Sequence, residues 1–136
     1  MPTTEARAHS GDSDPPLTTR VETLDDTPVV HVAGEIDIST VGDLEATIKR
    51  SETQATQEGQ GNPVIVIDLR GVTFLGAEGL RSLVASQNRI AAAGGTMRVV
   101  VPGEGGVIRR LLELSGVESL LDLFESVEAA IAPDRP

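Results

Sequence analysis

From Leu17 to Leu24 the chain reads LTTRVETL, with Thr and Val at alternating positions, followed by a turn-like DDTP and the β-rich VVHVA. Period-two patterning on both sides of a turn predicts an opening antiparallel pair of strands. Beyond GEID, Val41, Leu44 and Ile48 recur at helical spacing, with Ser39 or Thr40 placed to accept a hydrogen bond from the first free N–H groups. This predicts an amphipathic helix to about Arg50. The next stretch, SETQATQEGQGNP from Ser51 to Pro63, is polar and aperiodic and reads as a long solvated connection.

VIVIDL, Val64 to Leu69, is almost continuously apolar and β-branched, as suits a strand covered on both faces near the centre of a sheet. GVTFLGAEG reads as a loop from Thr73 to Gly79 leading into a helix whose Leu80, Leu83, Val84, Ile90 and Ala91 form one stripe, closed by Gly94 and Gly95. TMRVVV predicts another buried strand. VIRRLLELSG predicts a helix that turns Val107, Leu111, Leu112 and Leu114 inward and stops at Gly116. LLDLF then suggests a short edge strand before a last helix ending near Ala132. Alternating strands and helices imply an α/β fold with a mixed, mostly parallel four- to five-stranded sheet, about four helices and right-handed crossovers.

The 136 residues fit one domain. Residues 1–16 are rich in Ser, Thr, Asp, Gly and Pro, cannot repay ordering entropy by burial, and are expected to be a disordered tail. The domain is expected over 17–132, with 133–136 as a C-terminal tail. A net charge of −10 disfavours direct contact with nucleic acid or anionic membrane. The absence of cysteine removes disulfides, thiolate catalysis and thiol redox sensing. No apolar run approaches the roughly 18 residues of a membrane span and no secretory signal precedes the domain, so a cytoplasmic location is expected. Phe74 and Phe124 are the only aromatic residues, too few for a stacking platform.

Four segments, in order, resemble the STAS family: VHVAGEIDISTVGDL, VIVIDLRGVTFLGAEGLRSLV, the Gly-Gly turn before TMRVVV, and VIRRLLELSGV. Together they run from Val30 to about Ile131. Gly34, Glu35, Ile36 and Asp37 match one family motif, and Arg110 to Gly116 match another. The central motif departs: where the family typically reads FLDSSGL this chain reads FLGAEGL. Gly76 therefore stands for the aspartate, Ala77 for the phosphoryl-accepting serine and Glu78 for its neighbour, while Gly79 and Leu80 are kept. The resemblance implies an anti-sigma factor antagonist that binds an anti-sigma factor of the GHKL serine-kinase fold and frees the sigma factor, as in stress-response regulation. It also implies a partner-binding surface made by Asp37, Gly76, Ala77, Glu78, Gly79, Leu80 and Arg81. Phosphorylation of the serine normally breaks the complex, and Ala77 has no hydroxyl to accept phosphate. The alternative that the resemblance leaves open is an accessory or scaffold subunit binding a transporter ATPase or a stressosome-like assembly. A homodimer is also left open.

Each candidate has a plainer role as well. Glu78 imitates a phosphate with about one charge, or is a first-turn acid favouring the helix dipole. Asp37 recognises a partner, or is a cap or turn residue. Ser82 lies about one and a half turns along the helix and points elsewhere. VPGEGGV lacks the lysine of a phosphate loop and reads as a turn. His31 in a strand and His9 in the tail have no partner cluster in sequence, so packing or solvation is expected of them. Without a nucleophile–base order, carboxylate dyad or metal spacing, neither enzyme activity nor a metal or cofactor is expected.

Overall fold

A computed structural model describes residues 15–103 and 106–131. The expected tail over residues 1–14, the C-terminal residues 132–136 and Glu104 with Gly105 in the VPGEGGV turn lie outside the described residues. Strand β1 (Leu17–Leu24) pairs antiparallel with β2 (Thr27–Ile36) in the register Leu24↔Thr27. The two residues between them, Asp25 and Asp26, both take positive φ (50° and 64°), as a tight right-twisting hairpin requires and as Asp tolerates. Helix α1 (Val41–Gln57) crosses to β3 (Val64–Leu75), α2 (Ala77–Ala92) to β4 (Thr96–Val100), and α3 (Val107–Ser115) with a 3₁₀ turn (Val117–Leu120) to β5 (Leu123–Phe124). Helix α4 (Val127–Ile131) ends the described chain. The strands lie in the order β1-β2-β3-β4-β5, parallel from β2 onward, so β3 is central.

Two apolar layers hold the sheet. On one face α1, α2 and α3 bury Leu44, Ile48, Leu83, Ile90, Ile108 and Leu112 against Val30, Ile65, Ile67, Leu69 and Val99. On the other, Ala130 of α4 covers Val29, Val66 and Val100, with Leu24, Val64 and Phe124 around them. β3 contributes side chains to both, which is why its first half is apolar at nearly every position.

Three expectations are corrected. Helix α1 does not stop near Arg50 but runs seven residues further, because the core face continues through small residues: Ser51 and Ala55 are buried at 3% and 2% exposure. The Ser51 hydroxyl is satisfied by donating to the Thr47 carbonyl (3.0 Å), so it can be buried without an external partner. Only the segment from Glu58 to Pro63 connects the elements. Second, β3 continues to Leu75, so Thr73, Phe74 and Leu75 are strand rather than loop. Two register shifts against β2 change its period from two to three: Leu69, Val72 and Leu75 face the core, with two exposed residues between each. Third, α3 turns Ile108 and Leu112 inward, with Leu111 packed beside them, while Val107 and Leu114 are 76% and 74% exposed. Ile108 and Leu112 lie one helical turn apart on one face, and Val107 and Leu114 fall outside it.

Two glycines are fixed by crowding. Gly34 has φ +104°, and a Cβ there would lie 2.2 Å from the Pro16 carbonyl oxygen, which also accepts the Glu35 N–H at 2.7 Å. At Gly79, in the first turn of α2, a Cβ would lie 2.6 Å from Leu75 Cδ1 and 2.7 Å from Ile36 Cγ2. Positive φ is not what selects glycine there; α2 simply sits too close to the ends of β2 and β3. Gly79→Ala is therefore expected to lower stability by about 1–3 kcal/mol through overpacking. Leu112→Ala should cost about 2–5 kcal/mol and Leu114→Ala less than about 0.5 kcal/mol. Urea melts of the three variants check this, and a Leu114 effect as large as that of Leu112 would contradict the orientation of α3.

Candidate functional site

The parallel pairing of β2 and β3 ends with Ile36 opposite Leu75, so the two chains leave the sheet side by side. The Gly76 N–H donates to the Ile36 carbonyl at 2.9 Å and locks the exits together. From there the first chain turns through Asp37–Thr40 into α1, and the second enters α2 directly, with Gly76 as its N-cap in extended conformation. Gly76 makes no side-chain cap, and a Cβ at this position would lie 3.2 Å from the Phe74 ring. The first-turn N–H groups of α2 and the positive end of its dipole thus face outward beside the Asp37 turn.

That turn is built by Asp37. Its Oδ1 accepts from the Ser39 N–H (2.9 Å), the Ser39 hydroxyl (2.8 Å) and the Thr40 N–H (3.2 Å). Hydrogen bonding from Ser39, side chain first, and from Thr40 outweighs desolvation and holds the Asp37 carboxyl below its usual value. Thr40 occupies the N-cap position of α1 but does not cap it: its hydroxyl accepts from the Asp37 N–H (2.9 Å) and donates to the Glu35 carbonyl (2.8 Å). Neither Ser39 nor Thr40 therefore serves α1 in the manner expected from sequence; both side chains are spent on the turn.

Of the sequence-predicted residues, Asp37, Gly76, Ala77, Glu78 and Arg81 come together around this turn and the first helical turn of α2. Ala77 and Arg81 are exposed, and Asp37, Gly76 and Glu78 are partly so. Glu78 Oε2 accepts from Arg81 Nη1 at 2.9 Å, a surface pair one turn apart on α2. Gly79 is buried and Leu80 packs against the core, so these two shape the surface from below. Ser82 is buried at 5% exposure and donates to Glu45 Oε2 on α1 at 2.7 Å.

Sequence reading missed two members of this surface. Ile38 is 77% exposed and Phe74 51%, one beside Asp37 and the other beside Gly76. Large apolar side chains left in water at adjoining strand ends are a signature of a docking surface. The signal in sequence was slight: an isolated Ile in the polar run after GEID, and one of only two aromatics.

His31 also departs from expectation, because it has a partner cluster. Its Nδ1 lies 2.7 Å from Asp68 Oδ2 on β3 and its Nε2 2.7 Å from Glu22 Oε1 on β1. Arg70 closes the seam with Nε and Nη2 on the two Asp68 oxygens at 2.8 and 2.9 Å. Burial pushes the Asp68 carboxyl up, but hydrogen bonds from Arg70 and His31 outweigh it and leave it below the usual carboxylate value. The seam ties β1, β2 and β3 together on the face that α4 leaves uncovered. Among the described residues no group of His, Asp and Glu has the arrangement to hold a metal ion, and no helix is long and apolar enough to cross a membrane.

The family model for the STAS domain matches residues 18–130. The anti-sigma-F factor antagonist RsfB of Mycobacterium tuberculosis is 35% identical over 108 residues, covering 79% of this chain and 80% of that protein. The crystal structure of an anti-sigma factor antagonist from Mycobacterium paratuberculosis matches with a TM-score of 0.71 and 33% identity, over 88% of this chain and 95% of that one. The phosphorylated form of the Bacillus cell fate determinant SpoIIAA shares the fold, with a TM-score of 0.56 at 21% identity over 87% of this chain and 100% of its own.

Two outcomes follow from the titrating groups. In NMR titrations the Asp37 carboxyl should ionise below its usual value, and Ser39→Ala should move it back upward; an unmoved value would contradict the turn geometry. Asp68 has a depressed folded-state value, so its contribution to stability is present above the unfolded value of about 3.9 and is lost as pH falls through the folded value. Urea midpoints should therefore fall more steeply below about pH 4 for the unmodified chain than for Asp68→Asn, and equal slopes would remove this carboxylate from the acid limb.

Proposed function

We propose, from the premise that the chain belongs to the STAS domain family, that it is an anti-sigma factor antagonist, which captures an anti-sigma factor of the GHKL serine-kinase type and so releases a sigma factor. The observation that carries this reading is the exposed apolar pair Ile38 and Phe74 flanking the Asp37 turn and the open N-terminus of α2. Such a surface offers apolar contact area at its centre, with Asp37, Glu78 and Arg81 as a polar rim that sets orientation. The domain over 17–132 is the binding unit, with 1–16 and 133–136 as tails. It acts in the cytoplasm as a protein-binding regulator, with no catalytic step and no cofactor. The names of the relatives from the two Mycobacterium species support this assignment.

Control by phosphorylation at the usual position is absent from this reading. Ala77 is the first residue of α2 and has no acceptor oxygen, while Ser82, the next hydroxyl along the helix, is buried and already donates to Glu45. Glu78 is half exposed and paired with Arg81, which spreads its charge over an ion pair and fits a first-turn acid better than a phosphate mimic. Binding is then set by the amount of antagonist rather than by its modification.

Calorimetric titration against the cognate GHKL anti-sigma factor tests the surface. Phe74→Asp and Ile38→Asp should each weaken binding at least tenfold, about 1.4 kcal/mol, with little change in the urea midpoint. Unchanged affinity in both would overturn the assigned surface, and failure of the unmodified chain to bind would overturn the function. Incubated with that kinase and ATP, the unmodified chain should gain no phosphate on residues 76–82, whereas Ala77→Ser should gain one. Stoichiometric phosphate on Ser82 of the unmodified chain would contradict this.

A further inference from the structure

The two edges of the sheet are unequal. β5 is two residues long and leaves little backbone to pair. β1, at the other edge, is eight residues long, pairs with β2 without a register break and contains neither proline nor lysine. Length, the lack of proline and lysine and an unbroken register leave β1 without several of the devices by which edge strands are normally blunted; the charges it does carry are Arg20 and Glu22. Among the described residues only β2 pairs with it, so its outer row of N–H and C=O groups is open. Midway along it, Val21 is 43% exposed at the margin of the face shared with Ser51 and Ala55 of α1.

We propose that β1 is a homodimerisation edge: two copies pair antiparallel through β1 about a two-fold axis at Val21, joining their sheets into one. Opposed residues in an antiparallel pair share a face, so the axis must pass through a residue position. An axis at Arg20 sets arginine against arginine, and one at Glu22 sets glutamate against glutamate, both unfavourable. An axis at Val21 sets Arg20 against Glu22 of the partner subunit, twice. It also sets Thr19 against Thr23 of the partner subunit and Val21 against its own counterpart. The charges are placed to do this: Arg20 is 67% and Glu22 40% exposed, and within one chain they meet only loosely, at 3.9 Å. His31 holds Glu22 in position through Nε2 at 2.7 Å on Oε1. One pair of eight-residue strands is a small interface beside the roughly 1,200 Å² of stable complexes. The dimer is therefore concentration-dependent.

Because the chain has no cysteine, single-cysteine variants report the register. With Val21→Cys the opposed Cα atoms lie about 4.5–5.5 Å apart, within disulfide reach, and mild oxidation should give a covalent dimer. Thr19→Cys or Thr23→Cys alone should not cross-link, since like positions are about 13 Å apart, but a mixture of the two should. In sedimentation equilibrium the unmodified chain should form a dimer as concentration rises. Arg20→Glu, at a surface position that leaves the His31 contacts intact, should weaken it roughly tenfold. Mixing Arg20→Glu with Glu22→Arg should give a heterodimer. Circular dichroism on Arg20→Glu confirms that its fold is kept. A chain that stays monomeric throughout, cross-linking at Thr19 alone as fast as at Val21, or a dimer unaffected by Arg20→Glu would each overturn the proposal.

Discussion

The fold turns on the close approach of α2 to the ends of β2 and β3. Gly79 admits no Cβ, so the backbone of α2 packs directly on the Ile36 and Leu75 side chains, and the Gly76 N–H bonds the Ile36 carbonyl and ties the two strand exits together. Everything at the candidate site inherits its position from this junction. It sets the Asp37 turn beside the helix N-terminus, and it leaves Phe74 over Gly76 rather than in the core. A larger residue at Gly79 would push the first turn of α2 away from Ile36 and Leu75 and so shift the surface that the turn carries.

A second constraint acts on the other face of the sheet. α4 is only five residues long and covers Val29, Val66 and Val100 alone. Among the described residues no helix covers the neighbouring stretch, which carries the polar seam Glu22–His31–Asp68–Arg70. Three of these groups lie on three adjacent strands, so the bonds run across the sheet and reinforce the backbone ladder. Asp68 is nearly buried yet ionised, which is tolerable only because two partners supply hydrogen bonds to it. The same seam holds the carboxylate that β1 presents at its edge.

The order of elements was legible in the sequence wherever one periodicity held. Alternation gave the hairpin with both of its strands, the apolar run gave the centre of the sheet, and the Leu83–Ile90 stripe with its Gly-Gly stop gave α2. The motif pieces gave the family. Legibility failed where the buried residues were small or the period changed. Ser51 and Ala55 carry α1 onward without an apolar signal. Leu69, Val72 and Leu75 repeat every third residue, a spacing that belongs to neither strand nor helix until the bulges against β2 are known. In α3 the sets Val107–Leu111–Leu114 and Ile108–Leu112 are both helical stripes, and only the position of the helix over the sheet chooses between them.

For the site, the chain alone determined the chemistry that is absent: no hydroxyl at Ala77, no thiol anywhere, no phosphate loop. It also placed Asp37 and the α2 turn in the same surface through their motifs. Tertiary structure decided what each residue does there. The Asp37–Thr40 turn is closed locally, by bonds within residues 35–40, but its place beside α2 comes from the Gly76–Ile36 bond between the strand exits, and Ser82 is withdrawn because Glu45 of α1 lies opposite it. His31 gains two carboxylates from strands nine and thirty-seven residues away in sequence. Exposure of Ile38 and Phe74 is equally a property of the assembled sheet. A sequence specifies which groups a residue can offer, but burial and partnership depend on contacts between segments far apart in the chain, and those exist only once the strands are in register.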